Sequence, residues 1–177
     1  MLLYSPGKTG KINEPIAGRT RLVKMLFLFK HEVLSAFATG TEVNEQNFYQ
    51  FFPWDFGPFS RDVYDDIAFF QLRGFIQSEP SEEESLPEAI AEWDKWRDET
   101  EIESDVNIFE EQAFTLSEKG VTFTAKMFAR LTETQQELLR MFKAKLGSAS
   151  LRGILRYVYR EYRDQTVKSK IKHKVLA

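Results

Sequence analysis

The sequence predicts a mainly α-helical chain with a small β-wing, arranged as a winged helix-turn-helix-like core followed by a C-terminal helical extension. Three observations predict it. Apolar residues recur at helical spacing in several segments that begin at capping residues. Two short strand-like runs, FIQS at residues 75–78 and QAFTLS at 112–117, flank an acidic stretch. The order of helix, short helix, aromatic turn, helix, strand, insertion, strand and further helices is the layout of that fold.

Residues 1–19 hold Pro6, Gly7, Gly10, Pro15 and Gly18, punctuation that predicts an extended arm. Thr20 is placed to cap a helix reaching about Phe37, with Leu22, Met25, Leu26, Phe29 and Val33 at helical spacing. Gly40 lies near its end. A short helical turn is expected around residues 47–52, then a packed aromatic loop, FFPWDFGPFS, in which Pro53, Gly57 and Pro58 forbid a continuous helix. Ser60 is the expected N-cap of a helix from Arg61 to about Arg73, buried through Val63, Ile67 and Phe70.

Ser85 and Glu88 form a possible capping box within the acidic insertion, and Trp93 and Trp96 stand three apart in the helix it would open. Ser117 caps the helix after the second strand. Thr132 and Gln135 make a capping box for the next helix, which Gly147 closes. Leu151, Leu155, Val158 and Tyr162 share one face of the helix after that, and a last helix covers about residues 169–176. The organisation is therefore one domain over residues 1–177. It comprises an arm (1–19), a core (20–130) carrying an acidic insertion (79–111), and C-terminal helices (131–177).

Composition bounds the function. A chain of 177 residues with 42% hydrophobic and 29% charged residues matches a globular protein, and 16 Phe, 6 Tyr and 3 Trp supply ample core area. The absence of Cys excludes thiolate metal sites, disulfides and a cysteine nucleophile. The N-terminus lacks the apolar core of a signal peptide, and the longest apolar run, MLFLF, is far too short for a bilayer. A cytoplasmic protein without membrane contact is expected. The net charge of −3 is unevenly spread. Residues 79–111 carry 14 acidic and 2 basic side chains, and residues 148–177 carry 8 basic and 2 acidic. Solvated surfaces account for this, as would an intramolecular clasp or a polyanion-binding face.

The segments EPIAGRTRLVKMLFLFK, FFPWDFGPFSRDVYDDIAFFQLRGFI, FTLSEKG and LRYVYREYRDQTVKSKI resemble the bacterial YwgA-like proteins. Those are in turn similar to the Panacea (SocA-like) domain, through Gly57, Pro58, Ser60, Tyr64, Leu116 and Gly120. The matching blocks cover about two thirds of the chain, in order. The resemblance implies a winged-helix-like core with antitoxin roles, or service as a protease adaptor. It supplies no catalytic residues.

Chemical constellations are sparse. SPGKTGK at residues 5–11 has the tail of a phosphate-binding loop, but Leu2 occupies the earlier glycine position and no strand precedes it. His31 and His173 have no metal-ligand spacing, and no calcium-loop pattern marks the acidic insertion. No nucleophile elbow occurs, and the adjacent Asp65 and Asp66 point about 100° apart on a helix. No catalytic residue, metal or cofactor is predicted.

The helix at 61–73 would be the DNA-recognition helix, yet its exposed face carries Asp62, Asp65, Asp66 and Phe69, with only Arg61, Gln71 and Arg73 for base contacts. Carboxylates there oppose a phosphate-lined groove. The reading is therefore a binding protein that contacts another protein, antitoxin-like, adaptor-like or regulatory. Asp62, Asp65, Asp66, Phe69, Trp93 and Trp96 are its candidate surface, the tryptophans as anchors. The alternative is a DNA-binding regulator. It would use Arg19, Arg21, Lys24, Arg152, Arg156, Arg160, Arg163, Lys168 and Lys170, with Lys172 and Lys174 beyond.

Overall fold

The computed structural model describes residues 1–39, 43–81 and 112–176. It is mainly helical with two small antiparallel sheets. Strand β1 (Ile16–Ala17) leads into helix α1 (Arg19–Leu28), a π-helical turn (Phe29–Val33) and α2 (Leu34–Phe37). A hairpin of β2 (Phe52–Trp54) and β3 (Gly57–Phe59) follows, then α3 (Arg61–Leu72), β4 (Ile76–Pro80) and β5 (Gln112–Leu116). The chain continues through α4 (Glu118–Phe128), α5 (Glu133–Ser148) and α6 (Leu151–Glu161). A 3-10 turn (Arg163–Thr166) and α7 (Lys172–Leu176) complete it.

The larger sheet runs in the order β1-β5-β4. Ile76 pairs with Leu116 and Pro80 with Gln112, while Ile16 pairs with Phe114 on the other side of β5. Phe114 and Leu116, two apart, are buried, as the period of a strand requires. The core is the space between this sheet, α1 and α6. Val23, Met25, Phe27, Leu28, Ile154, Leu155, Val158 and Tyr159 are almost fully buried there.

Thr20 does not cap α1 but lies buried within it; the N-cap is Gly18, two residues earlier, whose φ of 86° gives the chain its sharp turn out of β1. The helix register shifts through the π-helical turn before α2. Gly40 and the Ser85–Glu88 pair lie outside the described residues.

Other expectations change. Residues 1–15 are not an extended arm but lie against the body. Leu2, Leu3 and Ser5 are buried, and Asn13 pairs with both the N–H and the carbonyl of Leu116 at 2.7 and 3.0 Å. Apolar side chains amid turn residues are enough to dock them. Residues 47–52 form no helix, because Phe52–Trp54 enter the hairpin, with Phe52 opposite Phe59 and Trp54 opposite Gly57. Gly57 has a φ of 92°, and a Cβ there would meet the Tyr159 ring at 3.1 Å. Ser60 is the N-cap residue of α3 as expected, but its side chain is buried and makes no capping hydrogen bond. Phe70, expected inside, is 38% exposed; Tyr64 takes the core position.

Ser117 and Thr132 do cap. Ser117 accepts from the Gly120 N–H, and Thr132 and Gln135 form the full capping box. Gln135 also donates to the carbonyls of Phe37 and Thr39, closing the end of α2. Gly147 lies within α5 rather than after it, and the last helix is shorter than expected.

Candidate functional site

A cavity of about 320 Å³ opens between α3 and α4. Leu22 and Leu26 of α1, Ile76 and Leu116 of the sheet, and the N-terminal Leu2 and Leu3 line its interior. Val63, Asp66, Ile67 and Phe70 form the α3 wall; Phe123, Thr124 and Met127 form the α4 wall. The lining is apolar apart from Asp66, Tyr49 and Thr124.

Local sequence explains the walls. On α3 a full set of core positions, Val63, Tyr64 and Ile67, faces inward, which leaves Phe69 and Phe70 at the rim. On α4 only Gly120 and Thr124 are fully buried, because the helix sits close to the chain entering β4. A Cβ on Gly120 would lie 2.1 Å from the Phe75 carbonyl oxygen. Phe123 and Met127, four apart, are thereby left 53% and 41% exposed. Phe69, Phe70, Phe75 and Phe123 run as a chain of ring contacts at 5.5, 6.2 and 5.4 Å. An apolar opening bordered by exposed aromatics is the surface character of a binding site.

One polar pair marks the wall. The Tyr49 hydroxyl donates to Asp66 Oδ2 at 2.6 Å, and burial together with that carboxylate pushes the phenol far above its ordinary range. Lys30 of the π-helical turn fixes this segment by donating to the Tyr49 carbonyl and the Gln50 side chain. Further along α3, Asp62 and Asp65 are exposed, and Arg61 pairs with Asp65 at 3.8 Å. Among the described residues no Lys or Arg pairs with Asp62 or Asp66. At the other end Arg73 stacks on Phe69, and Lys119 stacks on Phe75 while donating to the Arg73 carbonyl.

Asp62, Asp65, Asp66 and Phe69 thus share one side of α3, from which Asp66 reaches the cavity lining. Trp93 and Trp96 lie outside the described residues. The candidate polyanion residues are not brought together. Arg21 and Lys24 are buried, correcting their assignment to a surface: Arg21 donates to the carbonyls of Leu146 and Ala149, and Lys24 to that of Pro58. Arg19 is half-buried, bonded to Gln112 and stacked over Phe114. Arg152 and Arg156 donate to the carbonyls of Lys174 and Val175, so they hold α7. Lys170 pairs with Asp55 at 2.6 Å. Arg160, Arg163 and Lys168 are exposed.

The phosphate-loop-like tail is also accounted for. The Glu14 carboxylate accepts from the Thr9 and Lys11 N–H groups and the Thr9 hydroxyl, so the loop's donors meet the chain's own anion. His31 packs on Phe27 and Tyr162, and the Tyr162 hydroxyl donates to Glu32, tying the π-helical turn to α6. Among the described residues no group of three metal-ligating side chains forms, and no helix is long and apolar enough to cross a membrane.

Sequence reasoning missed the contributions of Leu2, Leu3, Tyr49, Phe123 and Met127. The i, i+4 spacing of Phe123 and Met127 was the available signal. Comparison with family models, with curated proteins and with solved structures gives no match.

Proposed function

We propose that this chain is a cytoplasmic, non-enzymatic binding protein that acts by protein–protein contact through the α3–α4 groove, in an antitoxin-like, adaptor-like or accessory regulatory role. The observation that carries this reading is the apolar cavity of about 320 Å³ opening between exposed Phe70, Phe123 and Met127. Contiguous exposed aromatic surface of this kind costs solubility unless a partner covers it. A winged-helix-like core is supported by the order β1-β5-β4 and by the β4–β5 pair that follows α3. The helix that would enter a DNA groove presents Asp62 and Asp65 to solvent, which favours a protein partner over a phosphate backbone.

Affinity capture from the native host with three forms of the chain tests this. Wild type and Arg160→Ala/Arg163→Ala are expected to retain the same protein. Phe69→Ser/Phe123→Ser is expected to lose about tenfold or more of it, as for substitutions at interface anchors. Equal capture by all three forms, or loss only in the arginine variant, would overturn the reading.

A further inference from the structure

We infer that the α3–α4 groove receives a basic amphipathic segment of another protein, which sets a large apolar side chain into the cavity and lays Lys or Arg against Asp62, Asp65 and Asp66. This rests on the docking role proposed above and deepens it by naming the partner's chemistry.

Shape comes first. A cavity of about 320 Å³ is at the small end of pockets that enclose whole ligands, and its mouth is lined by side chains 38–53% exposed. A short segment lying along the mouth, with one or two anchors inserted, fits that form better than a fully engulfed molecule. Helix-in-groove recognition presents such anchors at i, i+3 and i+4.

Charge selects the sign. Asp62, Asp65 and Asp66 occupy positions i, i+3 and i+4 of α3 and so share one side of the helix. Among the described residues the cation paired with them is Arg61, half-exposed against Asp65. Asp66 is joined to the cavity through Tyr49, so the acidic strip runs to the apolar mouth. At the far end Arg73 lies over Phe69, and Lys119 lies over Phe75 and donates to the Arg73 carbonyl. The chain's acidic stretch, residues 79–111, has the same sign as this strip and is not its complement. A nucleic acid would meet the same repulsion.

The test is a titration of the full chain with labelled peptides of about 18 residues, five helical turns, followed by anisotropy. One peptide has a leucine face and a lysine face. A second replaces lysine by glutamate, and a third scrambles the lysine peptide so that it has no apolar face. The lysine amphipath is expected to bind at least about tenfold more tightly than either control. Asp62→Asn/Asp65→Asn and Phe123→Ser, both at exposed positions, should each weaken it about tenfold. Equal binding of the glutamate peptide would overturn the choice of a basic partner while leaving the docking reading intact. Equal binding of the scrambled peptide would show contact through charge alone and overturn the anchored mode. Binding of none of the peptides would also overturn the inference. So would a dimer in sedimentation that Phe123→Ser abolishes, because a second copy would then be the occupant.

Discussion

Lys24, Arg21 and Lys143 sit inside the molecule with backbone carbonyls as partners. Lys24 reaches the Pro58 carbonyl at 2.9 Å, and Lys143 reaches those of Leu3 and Ser5 at 2.7 and 2.9 Å. Each holds together segments far apart in the chain, the hairpin in one case and the N-terminal residues in the other. Removing Lys24 or Arg21 leaves buried carbonyls unpaired and opens a cavity. Lys24→Ala and Arg21→Ala should therefore each lower stability by about 3 kcal/mol in urea unfolding, while exposed Arg160→Ala should change it by less than about 0.5 kcal/mol. Burial pushes Lys143 down from 10.5 to about 8. Between those values the unfolded chain binds more protons than the folded one, so this residue makes stability rise with pH across that window. The rise should be of the order of a few kcal/mol, and it should vanish when wild type is compared with Lys143→Met by chemical denaturation at pH 7.5 and pH 10. None of these internal cations was legible in the sequence. On a helix they read as surface charge, and only the positions of distant carbonyls decide otherwise.

At the scale of elements, local signals served well where the chemistry is local. The caps at Ser117 and Thr132 and the strands at 76–80 and 112–116 follow from residues close in sequence. The misses depend on contacts across the molecule. The β2–β3 hairpin forms because aromatic rings pair across it, Phe52 on Phe59 at 5.5 Å and Trp54 on Phe59 at 5.9 Å, and because Lys170 binds Asp55 at its turn. Ser60 does hold the N-cap position of α3, but its buried side chain makes no capping hydrogen bond. Two glycines in helices give an opposed prediction. A Cβ at Gly147 meets nothing within 4 Å, so Gly147→Ala should stabilise α5 by about 0.5–1 kcal/mol. Gly120→Ala drives a methyl into the Phe75 carbonyl and should cost about 2 kcal/mol or more, because backbone must move. Thermal unfolding of the two variants checks the opposite signs.

For the whole molecule, the acidic and aromatic composition of α3 was readable, and it pointed away from a DNA groove. The cavity was not, because it is made by parts of the chain far apart in sequence: the N-terminal residues, α1, the segment carrying Tyr49, α3, the sheet and α4. Phe123 and Met127 read as ordinary helix residues until α3 stands opposite them. The basic C-terminal stripe read as one surface, yet Arg152 and Arg156 are used to hold α7 and Lys170 to hold the hairpin. Arg160, Arg163, Lys168 and Lys174 are also exposed. A gel-shift titration should accordingly show no specific duplex binding, and any weak retention should disappear at raised salt.

The most direct measurement is photo-crosslinking in the native cell, with a benzophenone side chain placed at position 69, 123 or 160 in separate strains. One discrete protein adduct is expected from both positions 69 and 123, exposed on the two helices that flank the groove, and none of it from position 160. Adducts confined to position 160, or to nucleic acid, would contradict that expectation.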